Sequence, residues 1–113
     1  MIEVHRIDKA ILRHGDRFFN RFFTPQELID ANGRTPALAA RFAAKEAAAK
    51  ALGTGIGDVE WKEIEIVRGA RGEPSLELHG NARTLAQQLG WREWSVSLSH
   101  THEHAIAMVV ASG

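Results

Sequence analysis

Apolar residues recur at helical spacing from the start of the chain. Ile7, Ile11 and Phe18 form one stripe, with Leu12 and Phe22 close to it, so residues 2–19 read as a helix or a short strand running into one. Arg6, Arg13, Arg17 and Arg21 are spaced to line another face. Thr24-Pro25-Gln26-Glu27 is a capping box with proline at the first helical position, and it opens a short helix that stops at Asn32-Gly33. Thr35-Pro36 opens a longer, alanine-rich helix through Leu52, about 25 Å long, with Gly53 as its left-handed cap. The period then changes. Trp61, Ile64 and Ile66 fall in a strand, Gly69-Ala70-Arg71-Gly72 is a turn, and Leu76 and Leu78 mark a returning strand. Residues 81–89 read as a short helix between Asn81 and Gly90. Trp94, Val96 and Leu98 alternate with Ser95, Ser97 and Ser99, and Ile106, Met108 and Val110 give a final strand. This order predicts an α+β fold, with N-terminal helices packed on a mostly antiparallel sheet.

Composition sharpens that picture. At 113 residues the chain is the size of one domain, 1–113, and 44% apolar residues suffice for a core. The absence of cysteine excludes disulfides, cysteine-based zinc sites and thiolate catalysis, and is compatible with a cytoplasmic location. No apolar run approaches the roughly 20 residues of a membrane helix, and MIEVHRIDKA lacks the apolar stretch of a signal peptide. Net charge is zero, which disfavours a nucleic-acid binder. The zero conceals an asymmetry: residues 1–50 carry nine basic and six acidic side chains (+3), residues 51–113 five and eight (−3). A basic N-terminal half can steer an acidic partner.

Three segments could carry chemistry. In Arg41 to Gly55, Phe42, Glu46 and Lys50 form one i, i+4 ridge, and Arg41 and Lys45 a neighbouring one. These are either a solvated helix with an ordinary Glu46–Lys50 pair or a set of phosphate-binding cations beside a carboxylate. The glycines at 53, 55 and 57 are either a cap and a loop or a place where a phosphate approaches the backbone. The order, lysine before glycines, is not that of a nucleotide P-loop. In Ser97-Leu98-Ser99-His100-Thr101-His102-Glu103-His104, three histidines would share a side if extended and could chelate a metal; a polar hairpin loop is the plainer reading. Gly72-Glu73-Pro74-Ser75 reads as a hairpin turn.

In order along nearly the whole chain, these segments resemble the holo-acyl-carrier-protein synthases, the short class of 4′-phosphopantetheinyl transferases. Ile2 to Ile7 looks like the end of that family's opening motif. Arg17-Phe18, Phe22-Phe23-Thr24 and Glu27-Leu28 match its early helices, Arg41 to Gly55 its central helix motif, and Gly72-Glu73-Pro74 and Ser97 to Thr101 its later markers.

The resemblance implies transfer of the phosphopantetheine arm of coenzyme A to a serine of apo acyl carrier protein, with release of adenosine 3′,5′-bisphosphate. It also implies magnesium on the pyrophosphate, and an α+β half-domain assembled as a homotrimer with active sites between subunits. Under it, Glu46 is a magnesium ligand and Lys50 neutralises charge on the pyrophosphate or leaving phosphate. Arg41 and Lys45 hold other phosphate oxygens or the carrier. His100 and Thr101 bind the nucleotide end, and Pro74, Gly53 and Gly55 shape its pocket. Arg6, Arg13, Arg17 and Arg21 then become candidates for docking the acidic carrier. No membrane partner is implied.

One departure stands out. The family's opening motif has a glycine-rich strand ending in a magnesium-binding aspartate, and this sequence begins at Met1, one position past that aspartate's expected place. A start set too late, a shortened chain or lost activity would each account for it. Glu3 matches a later acidic position and is expected to compensate in part. If the aspartate is missing, weaker magnesium dependence and a lower rate are expected. The alternative function is a trimer that binds coenzyme A or carrier and transfers nothing.

Overall fold

The computed structural model describes residues 1–53 and 59–113. A two-residue strand, β1 (Ile2–Glu3), leads into α1 (Val4–His14) and α2 (Asp16–Phe22), followed by α3 (Pro25–Ala31) and α4 (Thr35–Ala51). A single 3₁₀ turn (Trp61–Glu63) precedes the hairpin β2 (Ile64–Arg68) and β3 (Pro74–Leu78). Then come α5 (Gly80–Leu89), β4 (Glu93–His100) and β5 (His104–Ser112). The α+β order expected from the pattern is the one observed. The strands form two antiparallel sheets, β1-β5-β4 and β2-β3. No helix among the described residues is long and apolar enough to cross a membrane.

Of the two readings of residues 2–19, a helix or a short strand running into one, the second is observed, with the helix divided. The division arises because Gly15 takes φ +54° and its N–H donates to the Ile11 carbonyl, closing α1 and opening α2 at a new angle. The capping box is formed as expected: the Thr24 hydroxyl accepts from the Glu27 N–H, and the Glu27 carboxylate accepts from the Thr24 N–H. Gly53 has φ +70° after α4, as its place beyond the helix requires. Trp61 lies in the 3₁₀ turn rather than in the strand, which starts at Ile64.

Helix α4 is buried on more than one side, and its alanines are the reason. Ala37, Ala39, Ala40, Ala43, Ala44, Ala48 and Ala49 are all buried, so β5, β4, α1 and β2 can approach it closely. One core cluster gathers Val4, Ile7, Phe18, Phe23 and Leu38 around its first half. A second gathers Leu52, Val59, Ile64, Ala82 and Ala86 around its second half. The opposite side of the β1-β5-β4 sheet is open: Ile106, Met108 and Val110 of β5 are exposed beside Ser99, Ser97 and Ser95 of β4.

Candidate functional site

Lys45 is withdrawn from the phosphate-binding set. Its side chain is fully buried, and its ammonium meets Glu27 Oε1 at 2.7 Å, the Ile64 carbonyl at 2.6 Å and the Trp61 carbonyl at 3.0 Å. An ammonium has three N–H donors, and all three have acceptors inside the protein, so none remains for a phosphate. Glu27 is equally occupied, because its other oxygen accepts from the Ile66 N–H at 3.0 Å. Burial pushes the Lys45 ammonium below its ordinary 10.5, against the pull of Glu27. The pair is a structural tie between α3, α4 and the β2-β3 hairpin.

Arg41, Pro74 and His100 do come together. They line a cleft of about 240 Å³ with Arg34, Arg68, Asp30 and Gly72. Arg41 is 8% exposed. One terminal nitrogen donates to the Ala37 carbonyl at 3.1 Å, while its buried Nε has no partner among the described residues. Burial lowers its pKa, and Asp30 and then Glu27 oppose that. Four basic side chains around one small cleft favour a highly charged anion. Arg34 and Arg68 escaped the sequence reading. One sits at the helix entry after Gly33 and the other at the end of β2, with no periodicity linking them.

Thr101 opens next to this cleft, in a groove with Arg34, Pro36, His100 and His102. Its hydroxyl accepts from the N–H groups of Glu103 and His104, and so sets the β4–β5 turn. The three histidines belong to β4, the turn and β5 respectively, not to one strand, and among the described residues they do not converge as a metal site. The one convergent donor set among those residues is Glu65, Glu77 and His79, whose ligating atoms lie within 4.8 Å of one another on the hairpin.

Glu46 and Lys50 occupy a different side of α4. At 100° per residue, Glu46 lies about 140° and Lys50 about 180° around the helix from Arg41. Glu46 is half-buried and Lys50 exposed, and no ion pair joins them among the described residues. Phe42, one turn earlier on the same ridge, stacks on Trp61 with centroids 4.9 Å apart. Gly53 is exposed just beyond the helix end; Gly55 lies outside the described residues.

A half-buried carboxylate that pairs with no cation among the described residues suits magnesium, which takes one or two carboxylates and completes its shell with water and substrate phosphate. The Glu3 carboxylate lies 3.2 Å from His5 Nδ1 on the exposed β1–α1 corner.

Arg6, Arg13, Arg17 and Arg21 are all exposed. Because Gly15 breaks the helix, they come from two helices. Arg17 and Arg21 of α2 border a groove of about 560 Å³ with Ala10, His14, Phe18 and Phe22, while Arg6 and Arg13 lie along α1. The Arg21 guanidinium sits 5.4 Å from the Phe22 ring centre.

Comparison with known proteins places these features in a family. Residues 2–109 match the 4′-phosphopantetheinyl transferase superfamily. A holo-[acyl-carrier-protein] synthase of Herpetosiphon aurantiacus is 48% identical over 120 residues, covering 100% of this chain and 94% of that protein. One of Dehalococcoides mccartyi strain 195 is 51% identical, covering 98% and 92%. The crystal structure of the Helicobacter pylori holo-[acyl-carrier-protein] synthase in complex with coenzyme A superposes with a TM-score of 0.89 at 31% identity, covering 98% of this chain and 95% of that one. The Neisseria meningitidis synthase gives 0.88 at 35%, covering 99% and 93%.

Proposed function

The chain belongs to the 4′-phosphopantetheinyl transferase superfamily, and from that premise we propose that it is a holo-[acyl-carrier-protein] synthase: it moves the 4′-phosphopantetheine group of coenzyme A onto a serine of apo acyl carrier protein and releases adenosine 3′,5′-bisphosphate. The observation that carries this reading is the basic cleft of Arg34, Arg41, Arg68 and His100. It supplies cations for the phosphates of the nucleotide end, with Pro74 and Gly72 as its wall. We place the reaction in the cytoplasm, in service of fatty-acid or polyketide synthesis.

The chemistry asks for positioning and charge neutralisation rather than covalent help. The carrier serine oxygen bonds to the phosphorus that bears pantetheine, and the bond from that phosphorus to the bridging oxygen breaks. Lys50 offsets the charge that collects on the leaving phosphate. Glu46 holds the water that takes the serine proton, and Glu46 would also hold magnesium. When bound, that ion supplies positive charge to the pyrophosphate. Arg6, Arg13, Arg17 and Arg21 attract the acidic carrier, and Phe18 and Phe22 offer it an apolar floor.

The nucleotide cleft and the Glu46–Lys50 ridge lie on different sides of α4, so one protomer does not bring them face to face. We propose that two copies do: the cleft of one protomer faces the ridge of the next, in a homotrimer. The exposed row Ile106, Met108 and Val110 is the apolar surface that such an assembly would cover.

The decisive experiment incubates apo carrier with coenzyme A and magnesium and weighs the product. A mass gain equal to the phosphopantetheine arm is expected; no gain, with coenzyme A still bound, would leave only a binding trimer. Mixing the separately inactive R41A and E46Q proteins after dissociation should restore part of the activity. No recovery would place both residues in one protomer's site.

A further inference from the structure

We infer that Trp61 is a positioning residue for the carrier: its indole locks the docking groove of α1 and α2 to the turn of α4 that bears Glu46. The inference rests on the transferase reading above.

Three rings form a closed triangle. Trp61 stacks on Phe42 at 4.9 Å and 21°, and meets Phe22 edge-on at 5.1 Å and 61°. Phe22 and Phe42 touch each other at 5.4 Å and 62°. The two ends of this triangle belong to different functional surfaces. Phe22 lines the groove bordered by Arg17 and Arg21. Phe42 precedes Glu46 by four residues on the same helical ridge. The third corner is held from behind, because the Trp61 carbonyl accepts from Lys45 Nζ, and Lys45 is the residue next to Glu46 in α4. A shift of the groove therefore presses through a ring stack onto the turn that carries the carboxylate.

Among the described residues, Trp91 and Trp94 pack against the second core cluster, whereas the Trp61 ring lies outside both clusters and meets the first only through Phe22 and Phe42. It is half-buried, on a 3₁₀ turn of three residues. A large, rigid ring at the border of a core, bridging two surfaces that must act on one substrate, fits a role in setting their separation. The carrier's serine must reach the Glu46 ridge while the carrier's body rests on α1 and α2. Misplacement by an ångström is enough to weaken such an alignment.

The test is steady-state kinetics of the full chain with apo carrier and coenzyme A varied in turn, alongside thermal unfolding. W61A should raise KM for the carrier about tenfold, the worth of one or two ring contacts, and leave KM for coenzyme A within about twofold. W61F, which keeps a ring in the stack, should recover most of the loss. Equal changes in both KM values, or a W61F protein as impaired as W61A, would overturn the inference. If W61A does not fold, W61L replaces it under the same criteria, since it keeps apolar volume without the stack. Wild-type transfer is measured first: its absence would refute the transferase reading, whereas normal wild-type transfer with no KM split in the variants would refute only the role of Trp61.

Discussion

Replacing Glu27 by glutamine should destabilise the protein by about 3–5 kcal/mol, the usual cost of stripping one partner from a buried ion pair. The carboxylate is fully buried and accepts three hydrogen bonds: from Thr24 N–H at 2.8 Å, Ile66 N–H at 3.0 Å and Lys45 Nζ at 2.7 Å. Glutamine keeps the shape but presents one oxygen instead of two. Its amide must face either the Ile66 N–H or the Lys45 ammonium, both of which are donors. One buried donor is left without an acceptor, at about 1–3 kcal/mol, and a buried lysine charge loses its counterion. Urea unfolding followed by circular dichroism reads the loss as a lower midpoint at unchanged slope. The double variant E27L/K45M removes both charges together and should regain the part of the loss that comes from a stranded charge, while the backbone N–H and carbonyl groups that the two side chains satisfied still cost stability. A loss below about 1 kcal/mol for E27Q, or a double variant no more stable than E27L alone, would refute the claim that a stranded buried charge carries the loss.

Other outcomes follow from the same geometry. Reversing charge at Arg13 and Arg17 should raise KM for the carrier several-fold, more at low salt than at high, and barely alter that for coenzyme A; equal effects on both would be contrary. Alanine at Arg34 and Arg68 should weaken coenzyme A binding by about tenfold or more in a calorimetric titration, each residue supplying a charge-assisted contact. Burial holds Lys45 below its ordinary 10.5, so between its folded value and 10.5 the native state binds fewer protons than the unfolded chain. Its contribution to stability therefore rises with pH across that window. K45M should lack that rise, and parallel stability–pH curves for the two proteins would contradict it.

Much of the fold is legible in the chain because its signals are local. The Thr24 capping box, the glycine after α4, the Gly69–Gly72 turn and the alternation along β4 each involve residues within about four positions of one another. The break at Gly15 was hidden by apolar spacing that runs on through it. The 3₁₀ turn at Trp61 was hidden by the apolar residues that follow. The candidate site was legible in part. The central helix motif pointed to Arg41, Glu46 and Lys50, and the later markers to Pro74 and His100. Arg34 and Arg68 carry no pattern of their own and become visible only when α4 and the hairpin enclose one cleft.

The sequence by itself determined most of the elements, their order and the family to which the motifs point, since capping, turn geometry and periodicity are short-range interactions. Tertiary structure alone decided which cations are available. Arg41 and Lys45 sit on one helical ridge with the same charge. One reaches a cleft shared with Arg34, Arg68 and His100; the other is sealed against Glu27 and against carbonyls 16 and 19 residues along the chain. The same packing separates Glu46 and Lys50 from that cleft. A side chain's chemistry is written in its identity, but whether it meets water, a ligand or a buried carboxylate depends on elements that contact it only after the chain has folded.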